Sequence, residues 1–315
     1  MKQLATIALG FLCLALAGCV EGEVAYTVNP DGSARVKIDV ISGMPLNPLG
    51  ADSGAKKPEE ESIDDLRRRA VRSTLESPGV AAWKDVSAEF LPNGKLQFKG
   101  TAYLKRLEDF QAQGGGIPIL GPSLRVERAE GGSLKLVAMG SGQDGIGSSK
   151  RKPKTPEEIK KMTDEELDRH ILLDLIELQS GKPLLTLFLA DTKLKTTYVL
   201  PGEVTASEGF DRDGQKASFT LDGSRVLASF AKALNQDRAA WRKLYREAAT
   251  PAAIQAAIFD FPIESASITV ANPTGAQFDF DKEVKEARAA YPELRKRFGF
   301  GEDLKLPAGE APPEK

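Results

Sequence analysis

The chain is poor in the side chains from which many active sites are built. Its 315 residues include two cysteines and one histidine. A single histidine excludes zinc sites that need two or more imidazoles. Two cysteines, Cys13 and Cys19, exclude a disulfide framework and cysteine-cage metal sites. Long apolar runs are missing beyond the N-terminus. The best of them, Leu184-Leu185-Thr186-Leu187-Phe188-Leu189-Ala190, is far shorter than the roughly 20 residues that cross a bilayer. An excess of one charge is missing too: 43 Lys and Arg stand against 45 Asp and Glu. That balance gives no long-range field for nucleic acid, so no nucleic-acid partner is expected. With 28% charged and 41% hydrophobic residues, the body has the composition of ordinary globular protein.

What the chain does have is a distinctive start. Lys2 precedes an apolar stretch from Leu4 to Ala17, and small residues follow. One positive charge, a short apolar run and small residues make a secretory signal peptide, too short to be a retained span. The stretch ends Leu16-Ala17-Gly18-Cys19, which resembles the lipobox of bacterial lipoproteins. The resemblance implies cleavage between Gly18 and Cys19, diacylglycerol on the Cys19 thiol, and a further acyl group, palmitate or similar, on the new amine. Ala15-Leu16-Ala17 also fits an ordinary signal peptidase, which would leave a soluble protein with a free thiol. Cys13 and Lys2 leave with the leader, so the mature chain keeps only Cys19 and its net charge moves from −2 to −3. Two or three acyl chains anchor stably, because each buried CH₂ contributes about 0.8 kcal/mol. Val20 stands where an Asp would resemble an inner-membrane retention signal. The resemblance therefore implies a cell-envelope address, at the outer membrane facing the periplasm in a double-membraned organism. The inner membrane and the cell surface are the alternatives.

Residues 1–18 are thus a leader, 19–301 an α+β body, and 302–315 a Pro-, Glu- and Lys-rich tail expected to be disordered. The body begins with two alternating segments, Glu23–Val28 and Ala34–Val40, joined by Asn29-Pro30-Asp31-Gly32, which predicts a β-hairpin. Only Val20 to Gly22 separate it from Cys19, a reach of roughly 10 Å. Residues 43–61 read as a loop. Ser62 caps a helix that presents Ile63, Leu66, Ala70, Val71 and Leu75. Further hairpins are predicted for Asp85–Phe90 with Leu96–Leu104, and for Leu124–Arg128 with Leu134–Met139. Residues 140–154 read as a linker, a possible boundary between a β-rich first part and an α+β second part. Thr155 and Thr163 each open a helix with a capping box, the second running to about Ser180. Strands are predicted at Leu184–Ala190 and Lys195–Leu200, and a fourth hairpin from Glu203–Ser207 and Lys216–Leu221. Helices follow at Gly223–Leu234, Asp237–Ala248 and Pro251–Phe259, then a strand at Ile268–Val270 and a helix at Asp281–Phe298. The fold class expected is α+β: antiparallel hairpins in one or two twisted sheets, packed helices, and a helix-rich C-terminal half.

The run Tyr198-Val199-Leu200-Pro201-Gly202-Glu203-Val204, a polar turn, and Ala217-Ser218-Phe219-Thr220-Leu221 resemble a recurring element of the LppM-like bacterial lipoproteins. In that family a strand ends in Pro-Gly, and a hairpin returns a strand centred on an aromatic residue, often Trp where this chain has Phe219. The lipidated N-terminus followed by a strand and an Asp-Gly turn matches as well. The resemblance implies an α+β envelope module that binds lipid.

Candidate chemistry is sparse. His170 lies within a charged helix, and no G-x-S-x-G elbow supports a triad with it. Gly114–Gly116 and Gly140-Ser141-Gly142 lack the Lys-Ser/Thr of a phosphate loop. Asp279 and Asp281 are paired acids, although Asp281 stands where the last helix needs a cap. Asp211-Arg212-Asp213-Gly214 starts like a calcium loop without the later ligands, and reads as a turn. Arg67, Arg68, Arg69 and Arg72, like Lys150–Lys154, could touch anionic headgroups or form a solvated face paired with Asp64, Asp65 and Glu76. No catalytic residue, metal or cofactor is expected. The leading reading is a non-enzymatic lipoprotein that binds an apolar ligand, a lipid or an envelope protein at the membrane surface. The others are a structural or assembly factor acting by protein contacts, and a carboxylate-dependent hydrolase. A ligand binder needs a deep apolar pocket, an assembly factor an exposed apolar patch, and an enzyme convergent polar groups in a cleft.

Overall fold

The computed structural model describes residues 20–43, 62–110, 124–129, 132–139, 155–248, 251–259 and 266–307. The leader with Gly18 and Cys19, the glycine stretches, the 44–61 loop, the linker and residues 308–315 lie outside these. Along the chain come β1 (Val20–Val28), β2 (Ala34–Ser42), α1 (Ile63–Leu75), β3 (Val80–Phe90), β4 (Leu96–Leu104), β5 (Leu124–Arg128) and β6 (Leu134–Ala138). Then follow α2 (Pro156–Lys161), α3 (Asp164–Leu189), β7 (Lys193–Val199), β8 (Glu203–Glu208), β9 (Asp211–Asp213) and β10 (Lys216–Asp222). The chain continues through α4 (Gly223–Leu234), α5 (Arg238–Ala248), α6 (Pro251–Phe259), β11 (Ser267–Ala271), α7 (Phe280–Ala289) and α8 (Tyr291–Phe298).

Local chemistry sets the element ends. In the first turn the Asn29 N–H donates to the Ser33 carbonyl at 2.9 Å, and Gly32 takes a φ of 90° that side chains disfavour. Ser62 accepts from the Asp65 N–H at the start of α1. Thr155 and Thr163 form complete capping boxes on α2 and α3. Each cap satisfies backbone donors that a helix start leaves open.

Seven strands form one sheet in the order β3-β4-β2-β1-β7-β10-β9, and four form a second in the order β5-β6-β11-β8. Pairing is antiparallel except between β1 and β7, which run parallel. Both sheets combine strands from before and after residues 140–155. Alternation divides most of the larger sheet, although β4 is buried on both faces from Gly100 to Leu104. Val24, Val36, Val40, Phe98 and Leu194 point inward and join Leu136 and Ile268 of the smaller sheet in one buried core. Lys37, Asp39 and Lys99 point outward to solvent. The edge strand β3 is covered by the C-terminal helices. Arg288 donates to the Ala81 carbonyl at 2.9 and 3.2 Å, Arg297 to the Val86 carbonyl at 2.8 Å, and the Trp83 N–H donates to the Tyr291 hydroxyl. An edge closed in this way offers no template for another strand. Helices α2 to α6 surround a second core of Ile159, Leu167, Ile171, Phe230, Trp241, Tyr245, Ile254 and Ile258.

Four expectations are corrected. Leu184–Ala190 forms no strand: α3 continues through Pro183 to Leu189, and the Ala190 N–H still donates to the Thr186 carbonyl. A short apolar run fits either state, and here packing within the helical unit, where Leu185 is buried, favours the helix. Glu203–Ser207 and Lys216–Leu221 form no hairpin. β10 pairs with β7 and β9, while β8 pairs with β11 in the other sheet. The chain changes sheets at Pro201-Gly202. There Thr274 donates twice to the Pro201 carbonyl, and a Cβ on Gly202 would lie 2.4 Å from the Ala271 carbonyl oxygen. The last helix is two, broken at Ala290 ahead of Pro292. Its cap is Asp279, which accepts from the Lys282 N–H at 3.0 Å, while Asp281 sits in the first turn. Residues 302–307 also pack: Leu304 is buried, and Arg72 bonds both the carboxylate and the carbonyl of Asp303.

Candidate functional site

Two places deserve chemical scrutiny: a polar cleft on the outer face of the large sheet, and the end of the molecule where β1 begins. The cleft, about 370 Å³, is floored by Arg35 and Lys37 of β2, Lys84 and Asp85 of β3, and Thr101 and Tyr103 of β4. α7 supplies the opposite wall with Lys282, Glu283 and Glu286, next to its cap Asp279. Four cations face four carboxylates, and two ion pairs form among them. Arg35 donates to both oxygens of Glu283, at 3.0 and 3.2 Å, and its guanidinium carbon lies 5.1 Å from the Phe278 ring centroid. Lys84 meets Glu286 at 3.5 Å. Burial, then the hydrogen bond and charge of Glu283, push the Tyr103 phenol above its ordinary range. Beneath these charges Ala82, Tyr103, Phe278, Val284 and Ala287 form a small apolar cluster. The cleft is therefore a seam that fastens α7 to the sheet. Its charged walls do not suit an apolar ligand.

A buried asparagine holds the approach to α7. Asn29, 2% exposed, donates through Nδ2 to Ser33 Oγ at 3.0 Å and to the Phe278 carbonyl at 3.1 Å. Its Oδ1 accepts from the N–H groups of Gln277 and Phe278, at 2.7 and 3.4 Å. The sequence marked Asn29 only as a turn residue.

The other place is the start of the body. The residue after Cys19 is already structural: Val20 is buried, pairs with Ser42, and donates its N–H to Thr192 Oγ1 at 3.4 Å. Thr192 is buried as well. Its N–H donates to the Leu189 carbonyl at the end of α3, and its carbonyl accepts from Gly223 at the start of α4. Gly223 packs so closely that a Cβ there would stand 1.6 Å from the Leu189 carbonyl oxygen. The first described residue of the body, Val20, thus lies beside the C-terminal end of α3. Farther along β1 and β7, Tyr26 and Tyr198 stack at 4.8 Å, and burial raises both phenols.

The remaining sequence candidates stay apart from both places. His170 is partly exposed on α3, with Nε2 3.7 Å from Asp174 and its ring edge-on to Tyr245. Arg67, Arg68 and Arg72 pair with Asp64, Asp65 and Glu76, as a solvated face does, and Arg72 also reaches Asp303. Asp211 and Asp213 are exposed in β9, with the turn at Gly214 behind them. Among the described residues no group of three or more His, Cys, Asp or Glu could hold a metal ion, and no helix is long and apolar enough to cross a membrane.

No family model and no curated protein matches the chain. Similar solved structures include the folded domain of LppM from Mycobacterium tuberculosis, with a TM-score of 0.25 and 10% identity over 65% of this chain and 84% of that one. A two-domain M1 zinc metallopeptidase bound to L-tryptophan gives a TM-score of 0.20 and 11% identity, over 65% of this chain and 40% of that one. The similarity to the lipoprotein domain is weak, and superpositions this loose carry no argument about activity or ligand.

Proposed function

We propose that the chain is a lipid-anchored protein of the bacterial envelope, non-enzymatic, that works through its surface at the membrane. The observation that supports this most is the absence of slack behind the lipobox: Cys19 is followed at once by buried, hydrogen-bonded Val20. A secreted soluble protein has no need to keep its single mature cysteine at such a junction. A lipid there holds the body flush against the headgroups. Contact through a surface is favoured over a bound apolar ligand, because the cleft is walled by charges while Leu172, Leu173 and Ile176 are exposed on α3.

Metabolic labelling with a clickable fatty acid tests the anchor. The wild-type chain takes up label and the Cys19→Ala chain does not. Equal labelling of both, or of neither, refutes lipid on Cys19.

A further inference from the structure

The exposed face of α3 is continuous with the end of the molecule that would carry the lipid. Leu172, Ile176, Gln179, Pro183, Thr186 and Ala190 are all exposed. At 100° per residue they fall within an arc of roughly 80°, and at 1.5 Å per residue they extend about 27 Å. None is charged. The polar group of Thr186 is turned inward, donating to the Lys182 carbonyl at 2.9 Å. Leu172 and Ile176 are 56% and 55% exposed. The opposite side of α3 is occupied, since Leu167 and Ile171 enter the helical core; the turn ahead of the stripe carries Asp168, which is held by Arg242 at 2.6 Å. Basic Arg169 and Lys182 flank the stripe and are exposed.

We infer that this face of α3 lies on the bilayer surface, so that the protein is docked by a lipid at one end of the helix and by an uncharged, largely apolar stripe along it. The inference rests on the lipid anchor proposed above. The anchor selects the occupant, because α3 ends at Leu189, three residues before the threonine that pins Val20. Lipid chains on Cys19 bring that helix end to the headgroups. From there an uncharged face runs back along α3 to Leu172, in reach of the interface. A helix lying in the interface buries its apolar side by roughly 5–10 Å while flanking Lys and Arg stretch to the phosphates. Cys19 alone would set the distance of the body from the membrane, and the stripe fixes its orientation.

Nitroxide labelling tests this on the full, processed chain in phosphatidylethanolamine–phosphatidylglycerol vesicles. Cys13 leaves with the leader and lipid blocks Cys19, so Ile176→Cys, or Leu172→Cys as a second position, accepts one label. Thr220→Cys, exposed on the outer face of β10, is the control. At 176 and 172, collisions with oxygen are expected to exceed those with a water-soluble nickel chelate several-fold, and the ratio should reverse at 220. Free access of nickel at 176 and 172 overturns the inference. So does shielding from both reagents, the mark of a protein cover, or dipolar broadening, the mark of a second copy. Failure of the anchor is read separately, as a second label per chain on an unmodified Cys19.

Discussion

Replacing Asn29 by alanine should loosen α7 from the sheet. The side chain makes four hydrogen bonds, three of them between 2.7 and 3.1 Å, and all span the gap between the first turn and residues 277–278 or close the turn itself. Truncation removes them and leaves the Gln277 N–H and the Phe278 carbonyl facing a site that is 2% exposed. At about 1 kcal/mol for each well-formed bond, the loss is about 3 kcal/mol. For a chain of this size that lowers Tm by roughly 5 °C. Asn29→Asp should cost at least as much at neutral pH. It keeps the acceptor but sets a carboxylate oxygen against the Phe278 carbonyl, with no donor left to bridge them. Urea unfolding of the three proteins measures the loss, and amide exchange locates it: residues 280–289 should exchange faster in both variants. A change of less than 0.5 kcal/mol for Asn29→Ala would refute this view of how α7 is held.

The five tyrosines carry a second prediction. Burial raises the phenol pKa of Tyr26, Tyr103, Tyr198, Tyr245 and Tyr291, with Glu283 adding to it at Tyr103 and Asp174 at Tyr245. A phenol whose folded pKa exceeds its unfolded value of about 10 stabilises the fold fully below that pH and loses this as pH rises through the folded value. Absorbance at 295 nm should therefore stay flat through pH 10 and rise only together with loss of the circular dichroism signal; phenolate in a still-folded chain contradicts it. Gly223→Ala should destabilise by about 3 kcal/mol or more, because the added Cβ meets a backbone carbonyl on α3 that cannot step aside. A melting temperature equal to wild type would show that the α3–β7–α4 junction is looser than described.

Short-range chemistry made much of the fold legible. Asn29 to Gly32, Ser62, Thr155 and Thr163 mark turns and caps whose partners are only a few residues away, so a sequence window contains the whole interaction. Partner choice is another matter. Nothing within Glu203–Leu221 says that β8 leaves for Ile268 while β10 stays with Tyr198, because the deciding contacts are Thr274 on the Pro201 carbonyl and Ala271 against Gly202. The parallel pairing of β1 with β7 joins residues more than 170 apart, and no local pattern encodes it. At Leu184–Leu189 an apolar run fits helix or strand until its neighbours are known. Sequence points to Asp281 as the cap of the last helix, and a start two residues earlier gives that place to Asp279. The candidate anchor, Cys19, was legible from the leader alone. Its consequence was not, since only the fold shows Thr192 tying Val20 to the end of α3.

The most direct measurement is the intact mass of the N-terminal peptide of the protein taken from bacterial membranes. A chain that starts at Cys19 and carries a diacylglyceryl group, with or without an amide-linked acyl chain, is the expected result. A free thiol at Cys19, or a chain that starts elsewhere, would remove the anchor and with it the reason to place this body at a membrane.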